Sequence, residues 1–587
     1  MDALCDWRGS DRALRSGIFD NRGCVMAQVR RGCLLARERS TCLRFLAREG
    51  KRYLSMSMRS YGLLFSLGAL GSMLGRLLLG RGIAAERDTI LCLALLASSV
   101  FLLPSQHSLS YTLGKSVLVG WLLFSFCRIP RDRLVYGTQA GVDRSGRALL
   151  LAALLSASAS LFSPTVVLLL LLGILFFLLF SSVPELLLLL ILLVIPFLNL
   201  LPHTTLLLTA LVLTEELFWL GKALCGHRMI RFGALDFFVF LFAFFLLLAS
   251  LGGGAEALSR GGMMLVLLLS YFPVKSFFTE QVWRRRAVLV IAMHALFSAL
   301  LGIGQYFFTD LSLEWVDVSR FSDIGGRVTS FFSNPNVLAV YLLLTFPRLL
   351  AEGMKRGCGM RMRIFYFGVV LCELLCLVLT WSRGAWIGAL LSLAVFFLLA
   401  SRRSRRGFLL ACIPLLAWLP LLPHSVVNRF LSIGMLAESS IRYRIYTWRG
   451  TLRMLWAQPL GVGLGEEQIG SVYARYAVSG TETAVHTHNL LLQVAAELGL
   501  GGALCLLTVL LLFFQIALGV MRERRAEDVS LSMLGGICAI GGALVMGLFD
   551  YIWYHNGIFW LFWVAIGATV GTVQRQMDFW EAEEREE

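Results

Sequence analysis

The sequence predicts an all-α polytopic membrane protein, and two observations carry that prediction. Hydrophobic residues fill 57% of the 587 positions and charged residues only 15%, whereas soluble proteins carry roughly 25% charged residues. The apolar residues also form blocks of about 18 to 22, the length at which a helix crosses a hydrocarbon layer of ~30 Å. These blocks predict about 14 transmembrane helices, within a range of about 12 to 16.

The clearest blocks mark the expected spans in chain order. They are 164–182, 185–201, 205–222, 232–251, 262–278, 286–307, 336–353, 363–382, 384–400, 407–422, 489–520, 530–549 and 553–574. Weaker candidates, which are shorter or rich in serine, lie at 90–103, 111–126 and 147–162. The predicted organisation is a basic cytoplasmic N-terminal arm (1–85), a helical bundle (86–422), one long extracytoplasmic loop (423–488), C-terminal transmembrane helices (489–575) and an acidic cytoplasmic tail (576–587).

The basic residues predict the orientation of these spans. The net charge is +16, but it is concentrated in short clusters between apolar blocks, which is typical of cytoplasmic loops rather than of a nucleic-acid-binding surface. If the cluster at 284–286 lies inside, alternation of the spans also places the clusters at 355–363, 402–406 and 522–525 inside. The segments then placed outside are 309–335, 383, 423–488 and 550–552. Since charge plays no part in marking the spans, the agreement supports both predictions.

The N-terminal arm differs in composition from the rest of the chain. Residues 1–60 are rich in arginine, contain four cysteines and lack a continuous apolar block, which is not the pattern of a signal peptide. Either they form a basic arm against anionic lipid, or the protein starts at Met56 or Met58. The 13 cysteines of the chain show no metal-ligand spacing, and we expect no disulfide, no metal site and no cofactor.

Two arginines stand on the predicted outer face against the usual charge bias. Arg327 follows two glycines in "GGRVTSFF", shortly before an Asn-Pro-Asn turn at 334–336 whose asparagines we interpret as helix caps. Arg383 occupies the very short turn in "LTWSRGAWIGALL". Such arginines either snorkel to the interface or bind a partner, and a planar, permanently charged guanidinium suits a phosphate.

The long outer loop contains one amphipathic segment. Residues 441–456, "IRYRIYTWRGTLRMLW", place apolar residues three or four apart with arginines between them, Arg444 included, which predicts an interfacial helix. Gly461, Gly463 and Gly465 follow without a preceding strand, so they favour a flexible turn over a nucleotide-binding loop.

The loop ends in "HTHNLLLQVAAELGLGG", where imidazoles stand at the entrance to an apolar block. His486, His488 and Asn489 are either the cap of a helix at the membrane edge or part of a catalytic site. Asp550 lies in the next outer turn, "LFDYIWYHNG". His488 and Asp550 therefore share one predicted face with the two outer arginines, which favours a common site.

Taken together, these motifs resemble the O-antigen ligases and related O-antigen polymerase-type proteins. His488-Asn489, nine residues and "GLGG" are similar to that family's His-Asn-x9-Gly-x-x-Gly signature. "SRGAW" (382–386), "GRVTSFFSNPNVLA" (326–339) and "RIYTWRGTLRMLWAQPLGVGLG" (444–465) resemble its other landmarks. The resemblance extends over residues 160–575 and leaves the N-terminal segment uncovered.

The resemblance implies a GT-C-like, inverting membrane glycosyltransferase that works on the outer face of the bacterial cytoplasmic membrane. Its donor would be a glycan on a polyprenyl (usually undecaprenyl) diphosphate, and its acceptor a hydroxyl of a glycan, a lipid or a protein. The implied roles are His488 as the catalytic histidine, with Arg327, Arg383, Arg444, Asn489 and Asp550 binding the substrate. A histidine base and fixed guanidiniums suit such a transfer without a metal ion, because they accept the proton and stabilise the leaving diphosphate.

Two other classes compete with this interpretation. A transporter or flippase of lipid-linked glycans would also hold a diphosphate, but it predicts polar residues throughout the bundle and internal repeats, which the sequence does not show. A structural scaffold would leave the outward arginines and His488 unexplained. The sequence leaves open the choice between ligase, polymerase and O-oligosaccharyltransferase, and with it the sugar and the acceptor.

Overall fold

The computed structural model describes residues 52–80, 86–115, 142–224, 231–311, 325–418, 424–431, 439–484, 486–522 and 527–586. These residues are helical and contain no strand beyond two isolated bridges. Eleven helices of the described part are long and apolar enough to cross a membrane, and three shorter apolar helices accompany them. The prediction of an all-α polytopic membrane protein is therefore confirmed.

One compact unit comprises residues 1–186 and 221–228. Its described helices are α1 (Met58–Leu78), α2 (Glu86–Leu102), α3 (Leu109–Lys115), α4 (Ser145–Leu161) and α5 (Pro164–Ser182). Helices α1 and α4 pack closely because small residues face each other: a Cβ added to Gly71 would lie 2.4 Å from Ser156 Oγ. Small residues at this spacing let membrane helices approach until their backbones touch.

Helix α1 lies inside the segment predicted as a basic arm (1–85). It is long and apolar enough to cross a membrane, so the structure differs from that prediction over 58–78. Its glycines and serines interrupt the run of apolar residues, so the sequence did not mark 58–78 as a span. Residues 1–51 of the arm lie outside the described residues.

The other compact unit comprises residues 187–220 and 229–587. Its described helices are α6 (Pro184–Val194), α7 (Thr204–Leu224), α8 (Ala234–Leu251), α9 (Gly254–Leu269), α10 (Tyr271–Phe278), α11 (Gln281–Phe308), α12 (Pro335–Met354), α13 (Met360–Leu379), α14 (Arg383–Ala400), α15 (Arg402–Trp418), α16 (His424–Leu431), α17 (Ser439–Ala457), α18 (Glu466–Tyr473), α19 (Leu490–Arg522), α20 (Glu527–Gly547) and α21 (Asn556–Glu586). Helices α6 and α7 contribute residues to both units.

Several helix limits differ from the predicted spans for local reasons. The block at 185–201 forms only the 11-residue helix α6 and a short 3-10 turn, with Pro196 between them. Helix α15 begins within the basic cluster at Arg402 and is not among the spanning candidates, although 407–422 was expected to cross. The predicted acidic tail continues α21 as far as Glu586.

Two carboxylates inside the bundle, those of Asp236 and Glu373, have polar partners, which lowers the cost of placing them in a membrane interior. Asp236 accepts hydrogen bonds from Lys275 Nζ at 2.6 Å and from the Tyr271 hydroxyl at 2.7 Å. Glu373 accepts one from the Thr345 hydroxyl. Asp236 and Glu373 thus have a structural role, because each binds a polar side chain of a neighbouring helix.

The helix ends that form the site lie together at one end of this unit. Helix α12 starts there, α13 ends there, and α14 and α19 start there. Hydrogen bonds join these ends, for example from Asn489 Nδ2 to Leu548 O at 2.9 Å, just after α20. Basic residues lie at the opposite ends: the Arg356 amide, after α12, donates to Asp528 Oδ1 at 2.8 Å, at the start of α20. Helices of 20 residues separate the two ends by about 30 Å.

Candidate active site

Arg327 lies in the loop that leads into α12 and is only 9% exposed. Its Nε donates to Thr380 O at 2.7 Å, and its Nη2 donates to Asn336 Oδ1 at 2.8 Å. Asn334 caps α12 by accepting from the Asn336 amide at 2.8 Å, which confirms one of the two asparagines as a cap. The other, Asn336, instead turns its side chain toward the site.

Asp550 continues the series of hydrogen bonds that starts at Arg327. Its Oδ2 accepts from Asn336 Nδ2 at 2.8 Å, and its Oδ1 lies 3.1 Å from His488 Nδ1. The Tyr551 amide also donates to Oδ1, at 3.0 Å. Burial alone would raise the pKa of Asp550, but the hydrogen bond and charge of His488, together with Arg444, lower it to about 2. Asp550 is thus a carboxylate at any working pH.

His488 is held in a left-handed backbone conformation, with φ of 50°, at the entrance to α19. Two hydrogen bonds fix the backbone of the preceding residue, Thr487. Its carbonyl accepts from Trp448 Nε1 at 2.9 Å, and its amide donates to Gln493 Oε1 at 2.8 Å. Strain of this kind, of order 1–3 kcal/mol, persists where the surroundings over-determine the backbone, and it clusters at functional sites.

The contacts form one chain from Arg327 through Asn336 and Asp550 to His488. Since Asp550 contacts Nδ1 of the imidazole, Nε2 is the ring nitrogen that can meet a further partner. A carboxylate that orients a histidine in this way holds the tautomer needed by a general base and stabilises the imidazolium that forms.

Three further guanidiniums, those of Arg383, Arg429 and Arg444, lie close to the Arg327 end of these hydrogen bonds. Burial first, and then the charges of Arg429 and Arg444, lower the pKa of Arg327 to about 9, with Arg383 acting in the same direction and Asp550 against it. Arg383, Arg429 and Arg444 thus lie in the same region as Arg327. Guanidiniums gathered in this way suit an anion with several oxygens, which can bind more than one of them.

His486 packs against the ring of His488, with centroids 4.3 Å apart. One ligand atom from each of His486, His488 and Asp550 lies within 4.8 Å of the others, a spacing that a metal ion can bridge. Burial, and then His488, Arg260 and Arg444, lower the pKa of His486 to about 4, while Asp550 acts in the opposite direction.

Asn489 has a structural task in this arrangement. Its Oδ1 accepts from the Leu492 amide at 3.0 Å, which caps α19, and its Nδ2 donates to Leu548 O. The cap expected from the sequence is present. Because both ends of the amide bind backbone, Asn489 positions His488 between α19 and the end of α20.

Gly499, the first glycine of the motif, produces a break in α19. Gly499 has φ of 77° and ψ of 176° inside the helix. The turn after α17 enters at this break: the Leu500 amide donates to Pro459 O at 2.9 Å, and the Val462 amide donates to Ala496 O at 2.8 Å. A Cβ on Gly499 would lie 2.5 Å from Leu460 C, and one on Gly461 would lie 2.4 Å from the Gly499 amide nitrogen. Both positions therefore require glycine.

Gly499→Ala should destabilise the protein strongly, because the φ and ψ of Gly499 are essentially restricted to glycine and its Cβ would strike the turn. We expect a cost of about 3 kcal/mol or more and a melting temperature lower by several degrees in detergent. Gly519→Ala in the same helix is the control, because nothing lies within 4 Å of its Cβ position. Equal melting temperatures for the two variants would contradict this account of the break.

The amphipathic segment is helical, as the sequence predicts, and forms α17. Thr447, Thr451 and Met454 are fully buried, whereas Leu452 is 49% and Trp456 89% exposed. Gly450 lies against the Tyr473 ring, which allows the close approach. The small residues thus face the protein, and part of the apolar stripe faces outward.

Three further residues of the site, Arg429, Asn336 and Tyr554, have no distinctive pattern in the sequence. Arg429, on α16, is 7% exposed and acts on Arg327, yet nothing in "HSVVNRFL" distinguishes it. Asn336 looked like a second cap. Tyr554, in the 3-10 turn Ile552–Tyr554, stacks on His486, with centroids 6.1 Å apart. Only its position four residues after Asp550 offered a signal.

Comparison with known proteins bears on the region that contains most of these residues. Residues 368–507 match the family model described as O-antigen ligase, which is roughly a quarter of the chain. A search of curated proteins gave no match. The matched region contains Arg383, Arg429, Arg444 and His488, while Arg327 and Asp550 lie outside it. The resemblance drawn from the motifs is thereby confirmed over residues 368–507, where this multi-spanning helical membrane protein is similar to the O-antigen ligases.

Proposed function

We propose that this protein is a membrane glycosyltransferase that moves a glycan from a polyprenyl diphosphate, such as undecaprenyl diphosphate, to an acceptor hydroxyl. The observation that carries the proposal is the hydrogen-bonded chain from Arg327 to His488, placed among four guanidiniums. A base and an anion-binding cluster in contact are the two components that this transfer needs.

The arginines take the donor diphosphate in this proposal. Arg383, Arg429 and Arg444 lie close enough to Arg327 to lower its pKa, so one diphosphate could contact several of these guanidiniums. Planar guanidiniums bind phosphate oxygens in pairs and keep their charge in partly buried places. Asn489 supports this geometry from the helix cap.

His488 acts as the general base in the proposed reaction. The acceptor oxygen attacks the anomeric carbon of the donor sugar while its proton passes to His488 Nε2. The bond between that carbon and the phosphate oxygen breaks, and the electron pair leaves with the polyprenyl diphosphate. A direct displacement of this kind inverts the anomeric centre and needs no further reactant.

The proposed setting is the outer face of the bacterial cytoplasmic membrane, in a GT-C-like fold. The site and the basic clusters lie at opposite ends of the same helices, and basic clusters mark the cytoplasmic side. A donor anchored in the bilayer would reach the site by lateral diffusion, since the site lies at the ends of spanning helices.

Reconstitution tests the proposed function and its alternative together. The purified protein in liposomes would receive a defined polyprenyl-diphosphate oligosaccharide and, in separate samples, lipid A–core, a second lipid-linked repeat or a protein acceptor. Longer lipid-linked chains indicate a polymerase, and glycan on lipid A–core or on protein indicates a ligase or an oligosaccharyltransferase. Movement of the donor between leaflets without a new glycosidic bond would indicate the transporter instead and overturn the proposal.

Arg383→Lys should weaken binding of the donor roughly 10- to 100-fold, because a charged hydrogen bond contributes about 1.5–3 kcal/mol and an ammonium cannot replace a bidentate fork. The measurement is the dissociation constant of the protein for the lipid-linked donor. Arg403→Lys, an exposed position beyond the other end of α14, is the control and should bind as wild type. Unchanged donor binding in Arg383→Lys would remove Arg383 from the diphosphate site.

A further inference from the structure

Tyr554 occupies a position next to the base that the proposed reaction has not yet used. It ends the 3-10 turn Ile552–Tyr554, between α20 and α21. Its ring stacks on His486 with an interplanar angle of 20°, and His486 in turn packs against His488. The side chain of Tyr554 is thus fixed one ring away from the catalytic imidazole.

The hydroxyl of Tyr554 is buried and makes no hydrogen bond to any residue that the structure describes. A buried hydroxyl left without a partner destabilises the folded protein. By contrast, the neighbouring polar groups of Asn336 and Asp550 bind each other. A donor that is held in place and left unused within an active site indicates a partner that arrives with the substrate.

The charges around this hydroxyl identify the part of the substrate that it meets. Burial raises the pKa of Tyr554 well above its usual value, and Asp550 adds to that rise while Arg327 opposes it. The hydroxyl therefore stays protonated and lies under the influence of both the diphosphate-binding guanidinium and the carboxylate that orients the base. The reacting sugar–phosphate linkage belongs between these two groups.

We propose that the Tyr554 hydroxyl donates a hydrogen bond to the bridging oxygen of the sugar–phosphate linkage in the donor. This role rests on the proposed glycosyl transfer. When the bond between the anomeric carbon and this oxygen breaks, the electron pair stays on the oxygen, and the hydroxyl stabilises the growing negative charge. Tyr554 keeps its proton throughout, and the acceptor proton goes to His488. A fixed neutral donor of this kind acts mainly in the transition state.

Tyr554→Phe removes the hydroxyl and keeps the ring that stacks on His486. With the polyprenyl-diphosphate donor we expect kcat to fall about 10- to 100-fold while KM for the donor stays within about twofold. Tyr554→Leu also removes the stacking on His486, so its kcat should fall further. Tyr476→Phe is the same change at a tyrosine that packs against a hydrophobic cluster around Met454 and Ile469. This control variant should keep wild-type kcat.

The outcomes separate the two proposals. If wild type transfers glycan and Tyr554→Phe has the same kcat, the ring alone matters and the hydrogen bond to the linkage is wrong. A rise in KM at constant kcat would overturn it as well, because it would show a contact made equally in the ground state. If wild type transfers nothing from any polyprenyl-diphosphate donor, the proposed function fails first, and the assignment of Tyr554 fails with it.

Discussion

His488→Asn should abolish nearly all glycan transfer while the protein still folds and binds the donor. General bases contribute about 10²- to 10⁴-fold to the rate, and the amide of asparagine cannot take up the proton. Asparagine is the informative replacement because it tolerates the left-handed backbone at this position, where φ is 50°. An alanine there would add backbone strain to the loss of the base. The measurement is the rate of transfer at saturating donor.

His424→Asn is the matched control for this variant. His424 is exposed at the start of α16 in the same outer segment, so its replacement should leave transfer unchanged. Donor affinity of His488→Asn should stay within about threefold of wild type, because the arginines supply most of the binding. A rate within twofold of wild type would mean that another group accepts the proton.

Asp550→Asn should lower transfer by about 10²- to 10⁴-fold, because a neutral amide no longer stabilises the imidazolium or selects its tautomer. The change keeps the shape of the side chain, which contacts His488 Nδ1 at 3.1 Å and Asn336 Nδ2 at 2.8 Å. Since the pKa of Asp550 is lowered to about 2, its charge is present above that pH and is lost only as the pH falls through it. The acid limb of the wild-type rate above pH 4 should therefore belong to another group.

A double variant shows whether Asp550 acts through His488. Transfer by His488→Asn/Asp550→Asn should be no slower than by His488→Asn alone, because groups that act as one unit are not additive. Asp310→Asn, an exposed change in the outer segment after α11, is the control for loss of a negative charge. Multiplicative losses in the double variant would show that Asp550 works independently of the histidine.

Several residues of the candidate site could be predicted from the sequence. Arg327, Arg383 and His488 stood out because a membrane protein places few charges at outer span ends without cause, and Asp550 followed from the same alternation of spans. The structure brings all four into one region. The span list was less accurate where proline or glycine interrupts an apolar block, as in α6 and α1.

Other members of the site had no local signature. Asn336 and Asp550 are 214 residues apart, and the hydrogen bond between them is a property of the folded bundle. Arg429 is one arginine in a loop that contains several. Tyr554 is one aromatic residue in an aromatic turn. Each becomes notable only through burial and its neighbours.

The sequence by itself determined that this is a polytopic helical membrane protein, which helix ends share a face, and which histidine matches the ligase motif. Hydropathy and loop charge act on each segment separately, so they can be read along the chain. The tertiary structure alone decided which polar groups meet. A hydrogen bond needs atoms about 3 Å apart, and only the packing of distant helices brings Arg327, Asn336, Asp550 and His488 to that separation.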